Sequence, residues 1–126
     1  MLIRKGIVDL SILDILKDKK VSASSKNEYI ILNDVSVKIT SQRYAVFKKS
    51  IVCSCCGLEG KFFAIEKNYK DPYPNYHLNL YGYDEKGKEV LITKDHIIPK
   101  SKGGKNHLSN YQTMCINCNV KKGNKI

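Results

Sequence analysis

The sequence predicts a small α+β domain. Three observations carry that expectation. Short runs alternate apolar and polar residues on either side of tight turns, one run has a capped helical pattern, and two Cys-x-x-Cys pairs, Cys53/Cys56 and Cys115/Cys118, stand far apart. Alternation with a period of two gives half-buried strands. Distant cysteine pairs suit a closed metal site that ties separate segments together. A chain of 126 residues builds one modest domain with a limited core, so such a site would supply a large share of its folding free energy.

Residues 9–17 hold apolar side chains at Leu10, Ile12, Leu13, Ile15 and Leu16 behind a possible N-cap at Asp9 or Ser11, which predicts a short helix. Residues 17–27, rich in Lys and Ser, read as a loop. Residues 28–32 and 35–40 flank Asn33-Asp34 and predict a β-hairpin. Thr40 or Ser41 then caps a helix over 42–49. Residues 62–66 form a predicted strand, and Asp71-Pro72-Tyr73-Pro74 puts turn chemistry into 68–75. Residues 76–81 and 88–93 are strands turned by 84–87, and 94–98 continues extended because the residue before Pro99 is kept out of the helical region. A glycine-broken loop over 100–106 follows, and a short helix begins within or just after the second cysteine pair.

Twenty-two Lys and Arg against twelve Asp and Glu leave a formal charge of +10. A surplus of that size favours a polyanionic partner, since each phosphate neutralised releases condensed counterions. Five cysteines, an odd number, argue against a simple disulfide framework, and no apolar run reaches signal-peptide or membrane-spanning length. These features predict a cytoplasmic protein without a membrane partner, where paired cysteines are metal or redox sites. Thiolates are soft donors, so Cys53, Cys56, Cys115 and Cys118 predict a structural Zn²⁺, ahead of an iron–sulfur cluster or a redox pair. Cys53 with Cys56 is preferred over a pairing through Cys55 because it repeats the spacing of Cys115 and Cys118.

Around the second pair lie residues 93–104, Thr-Lys-Asp-His-Ile-Ile-Pro-Lys-Ser-Lys-Gly-Gly, then Leu108-Ser109-Asn110-Tyr111-Gln112, then Cys115-Ile116-Asn117-Cys118-Asn119. This combination resembles the HNH endonucleases. The resemblance extends over residues 53–126, with its core at 93–122, and implies a ββα-metal fold: two antiparallel strands and a helix around one divalent ion. It divides the chain into an N-terminal region, 1–50, and a zinc-bound nuclease domain, 51–126.

The resemblance also implies roles. His96 would be the general base that activates water, a task suited to an imidazole because it titrates near neutral pH. Asp95, next to it on an extended strand, points to the other side and would hold the ion with Asn119. Asn110 would restrain the loop and help orient His96. Asn119 stands where many members have histidine, as in the family's His-Asn-Asn variants, and an all-oxygen ligand set suits Mg²⁺ or Mn²⁺. His107 is off the motif and reads as a loop residue or phosphate contact, and His77 as a strand residue.

Lys94, Lys100, Lys102, Lys105, Lys121, Lys122 and Lys125 cluster around the motif, with Asp95 the only acid from Lys94 onward. They would hold a DNA backbone, which positions a protein without reading sequence. Residues 1–50 carry no chemical motif; they complete the core or form a DNA-contacting module. The implied activity is metal-dependent DNA hydrolysis, by nicking or double-strand cleavage, in a monomer or homodimer. The family context includes phage and homing enzymes and partners of packaging or restriction proteins, in a host cytoplasm if phage-encoded. Two alternatives stay open: a non-catalytic zinc-ribbon DNA-binding protein and an RNA-directed nuclease.

Overall fold

The structure, a computed structural model, describes residues 1–19 and 26–125. Residues 20–25, within the stretch read as a loop, lie outside the described residues. The chain is of mixed α+β type. Strands β1 (Leu2–Val8), β4 (Phe62–Asn68), β5 (His77–Tyr83), β6 (Glu89–His96) and β7 (Tyr111–Cys115) form one antiparallel sheet in the order β1-β4-β5-β6-β7. Strands β2 (Tyr29–Leu32) and β3 (Val35–Lys38) form a separate hairpin. Asn33 and Asp34 make its turn at φ 48° and 65°. These are the positive values a two-residue hairpin needs to match the strand twist.

Helix α1 (Gln42–Lys49) begins at Ser41, whose hydroxyl accepts from the Arg43 amide. Helix α2 (Ile116–Lys122) follows β7 without a loop, the Cys115 sulfur accepting from the Cys118 amide at its start. Residues 9–17 form only a 3₁₀ turn, Leu10–Asp14, which the Asp9 carboxylate caps by accepting from the Ser11 amide. Five residues are too few for α-helical nucleation to be repaid without extensive packing.

The core lies on one face of the sheet. Phe63, Ile65, Leu78, Leu80 and Ile92 from the strands meet Leu16, Val37, Tyr44 and Phe47 from the front of the chain, all at most 1% exposed. Thus residues 1–50 supply an edge strand and much of the buried apolar surface. Tyr44 is sewn across three segments, donating its hydroxyl to Lys38 O and accepting from the Leu78 amide. On the opposite face Glu66 is 3% exposed. It accepts from Arg4, Asn79 and Tyr81, and burial, which raises its pKa, is outweighed by these three donors, so its carboxyl sits below the usual value.

Candidate metal centre and active site

β6, β7 and α2 make a ββα unit at the end of the sheet. The register pairs Ile92 with Cys115, Thr93 with Met114, Lys94 with Thr113, Asp95 with Gln112 and His96 with Tyr111. Strand alternation then sets the chemistry: Thr93 and Asp95 share one side, Lys94 and His96 the other.

Cys53, Cys56, Cys115 and Cys118 come together with their sulfur atoms all within 4.8 Å of one another. Cys56 Sγ and Cys115 Sγ are 3.8 Å apart. Four sulfurs at about 2.3 Å from a tetrahedral ion would be separated by about 3.8 Å, so the cluster fits that geometry. Amides of Cys56 and Cys118 point at the sulfurs of Cys53 and Cys115. Burial raises the Cys53 thiol, but the amides of Cys56, Cys115 and Cys55 outweigh it and bring Cys53 down to about 6. Cys115, buried against the other sulfurs, is pushed up. A cation between them would relieve this mutual opposition. Cys55 is exposed and outside the cluster. The Gly57 φ of 79° lets the first knuckle turn back on itself.

A cleft of about 260 Å³ opens at the other end of α2, lined by Lys94, Asp95, His96, Pro99, Lys100, Asn119 and Gly123. Asp95 is 6% exposed. Gln112 Nε2 and Lys122 Nζ both donate to its Oδ2, at 3.0 and 2.7 Å. Among the described residues no donor is found at Oδ1, so that oxygen is the one left for an ion. Asn119 is oriented as definitely. Thr93 donates its hydroxyl to Met114 O at 2.7 Å, so its oxygen can only accept from Asn119 Nδ2, at 2.9 Å. The Asn119 carbonyl oxygen is thereby turned away from Thr93. Two oxygen donors on adjoining elements fit a hard divalent cation such as Mg²⁺.

His96 packs edge-on against the Tyr111 ring, centroids 5.0 Å apart, and its Nε2 lies 2.8 Å from Asn106 Oδ1. An amide oxygen can only accept, so Nε2 carries the proton and Nδ1 keeps the lone pair in the neutral ring. Asn110 is a backbone clamp. Its Nδ2 donates to Ile98 O and Lys105 O, and its Oδ1 accepts from the Ile98 amide. It closes the loop that carries Lys100, Lys102 and Lys105. Gly104 is obligatory there, since a Cβ would lie 1.7 Å from Ile98 O.

With this geometry in view, the family model described as HNH endonuclease matches residues 83–126. That segment is similar to the HNH endonuclease domain. No curated protein and no solved structure matches the chain. The match spans β6, β7, α2 and the second cysteine pair, whereas Cys53, Cys56 and the whole front of the chain lie outside it.

The structure distributes the lysines around the HNH segment unevenly. Lys100, Lys102, Lys105, Lys121 and Lys125 are exposed. Lys94 lies over the Tyr111 ring at 4.2 Å and donates to Gln42 Oε1 at 3.4 Å. Burial first, then Arg43 and Lys100, holds its ammonium below the usual value. Lys122, grouped by sequence with the phosphate-binding lysines, instead turns inward to Asp95, His96 O and Ile97 O. A buried carboxylate recruits it more strongly than solvent does. Asn106, Gln112 and Thr93 escaped the sequence analysis as site residues, and Lys122 is assigned there to the DNA backbone rather than to Asp95. Only the β6–β7 register and the loop closure bring them to the motif. His107 caps the 3₁₀ turn Leu108–Asn110 with its ring nitrogen, and half-buried His77 heads β5. No helix among the described residues is long and apolar enough to cross a membrane.

Proposed function

We propose that this protein is a metal-dependent endonuclease that hydrolyses DNA phosphodiester bonds. Its four-cysteine centre would hold structural zinc, and Asp95 and Asn119 would hold one Mg²⁺ or Mn²⁺. The supporting observation is the cleft itself: Asp95, with one oxygen not taken by Gln112 or Lys122, Asn119, held by Thr93, and His96 all line it, and Lys94 and Lys100 beside them supply positive charge.

His96 Nδ1 takes the proton from the attacking water, while Asn106 holds the ring through Nε2. Tyr111 limits ring rotation from the side. When bound, the divalent ion would stabilise negative charge on the scissile phosphate and the departing oxygen. Gln112 and Lys122 keep Asp95 in one rotamer, and Thr93 does the same for Asn119, so the ligand oxygens need little reorganisation. Asn110 keeps the 98–105 loop closed, which presents Lys100, Lys102 and Lys105 to the backbone without specifying bases.

The test is conversion of supercoiled plasmid to nicked or linear DNA with Mg²⁺ or Mn²⁺. His96→Ala and Asp95→Ala, refolded and zinc-loaded to the same extent, are expected to lose the activity. Equal cleavage by the native protein and His96→Ala would overturn the assignment.

A further inference from the structure

A second groove, about 570 Å³, lies across the first turn of α1 from the cleft, between the β2–β3 hairpin and the segment leading into β5. Its framework is rigid. The Lys38 amide donates to Tyr76 O at 2.9 Å, the Tyr76 amide donates to Ser36 O at 2.8 Å, and Tyr44 bridges Lys38 to Leu78. Tyr29 and Lys38 are direct cross-strand partners, so both present the same side of the hairpin. Across the opening stands Tyr73, 71% exposed, and Tyr29 is 43% exposed. Asp71 accepts from the Tyr73 amide at 2.9 Å, which fixes the turn that carries this ring.

The groove is cationic. Among the described residues neither Lys38 nor Arg43 has a carboxylate partner, and Arg43 is held only by neutral acceptors, Asn79 Oδ1 and Leu78 O, each at 3.0 Å. Asp71 is the one acid in the lining. Burial first, then the charges of Lys19 and Arg43, keeps the Lys38 ammonium below its usual value. One step of α1, from Arg43 to Gln42, links the groove to a residue of the cleft wall. Arg43 lines the groove, while neighbouring Gln42 accepts from Tyr111 and from Lys94 in the cleft wall.

We propose that this groove binds unpaired nucleotides of a nucleic-acid strand that continues from the scissile phosphate, their bases stacking on Tyr29 and Tyr73 and their phosphates lying on Lys38 and Arg43. Exposed aromatic rings beside cations are the elements of single-strand binding. Only an unpaired base offers its face, because a duplex offers edges and backbone. The direction of the strand rests on the nuclease assignment; the groove's ligand chemistry does not. The protein would then prefer substrates with a single-stranded tail or a melted segment beside the cut.

The experiment measures fluorescence anisotropy of a labelled oligo-dT and of a matched duplex, without divalent metal, against the full-length protein. Tyr29→Ala/Tyr73→Ala removes two exposed rings. It is expected to weaken oligo-dT binding by roughly tenfold or more while changing duplex binding little. Lys38→Met is expected to weaken binding and to lower the salt slope by about 0.7, as loss of one single-strand phosphate contact requires. Unchanged oligo-dT affinity in the double variant, or an equal loss for the duplex, would overturn the proposal. Plasmid cleavage by the native protein keeps the two assignments apart. Tyrosine-dependent oligo-dT binding without cleavage would sink the nuclease and leave the groove. Cleavage with tyrosine-independent binding would do the reverse.

Discussion

Replacing Lys122 by methionine isolates the buried charge pair beside the candidate cleft. The side chains of Lys122 and Asp95 are 13% and 7% exposed, and Nζ sits 2.7 Å from Oδ2. Removing one member of such a pair typically costs about 3–5 kcal/mol, because the other charge stays behind in a poor solvent. Gln112 still donates to Asp95, and the cleft admits water, so the lower end, about 3 kcal/mol, is expected. That is a large fraction of a stability of roughly 5–15 kcal/mol for an ordinary domain. Urea unfolding without added divalent metal would measure the loss. Lys122→Met/Asp95→Asn should be less destabilised than the sum of its single variants, since the double change strands no charge. Added Mg²⁺ should restore more stability to Lys122→Met than to the native protein, because the ion would replace the missing positive charge beside Asp95. A Lys122→Met variant within about 1 kcal/mol of native would show the pair to be effectively solvated. Equal Mg²⁺ stabilisation of native protein, Lys122→Met and Asp95→Asn would remove Asp95 as the ligand.

Three further outcomes follow from the geometry. Cys115→Ser should abolish tight zinc binding and unfold the domain, since a four-cysteine site contributes on the order of 10 kcal/mol, whereas Cys55→Ser should keep one zinc per chain by elemental analysis. Thr93→Val frees the Asn119 amide to rotate and should reduce plasmid cleavage roughly tenfold or more, raising the Mg²⁺ needed for half-maximal rate, and the loss of its hydrogen bonds to Met114 O and Asn119 should cost about 1–2 kcal/mol in urea unfolding. Burial first, then Arg43, holds His77 below its ordinary pKa of 6.5. The unfolded chain therefore takes up that proton first, and stability should fall as pH drops below about 6.5 until the lower folded value is passed. His77→Gln should flatten that part of the stability–pH curve, and an unchanged curve would contradict the assignment.

Much of the chain's local structure was legible in the sequence. Asn33-Asp34 between alternating runs, Ser41 before Gln42, and the turn at 84–87 each record a constraint met by neighbouring residues, so a linear reading finds them. The second cysteine pair and the order Asp95-His96, Asn110, Asn119 likewise announced the HNH resemblance, because those groups belong to one short ββα unit and its loop. β1 was not legible: its pairing with β4 spans about sixty residues, and Gly6 breaks its alternation where the register shifts. Nor was the inward turn of Lys122. A lysine in a basic tail looks solvated until α2 lays it against a carboxylate 27 residues away. The residues that hold the site, Gln112 opposite Asp95, Thr93 beneath Asn119 and Asn106 on His96, depend on strand register and loop closure. The sequence by itself determined which chemical groups the protein carries and the local elements that bear them. Only the tertiary structure decided which oxygen of Asp95 is free, which face of Asn119 turns away from Thr93, and that the hairpin and α1 put a basic, tyrosine-edged groove beside the cleft, because those relations are set by long-range packing that no local pattern encodes.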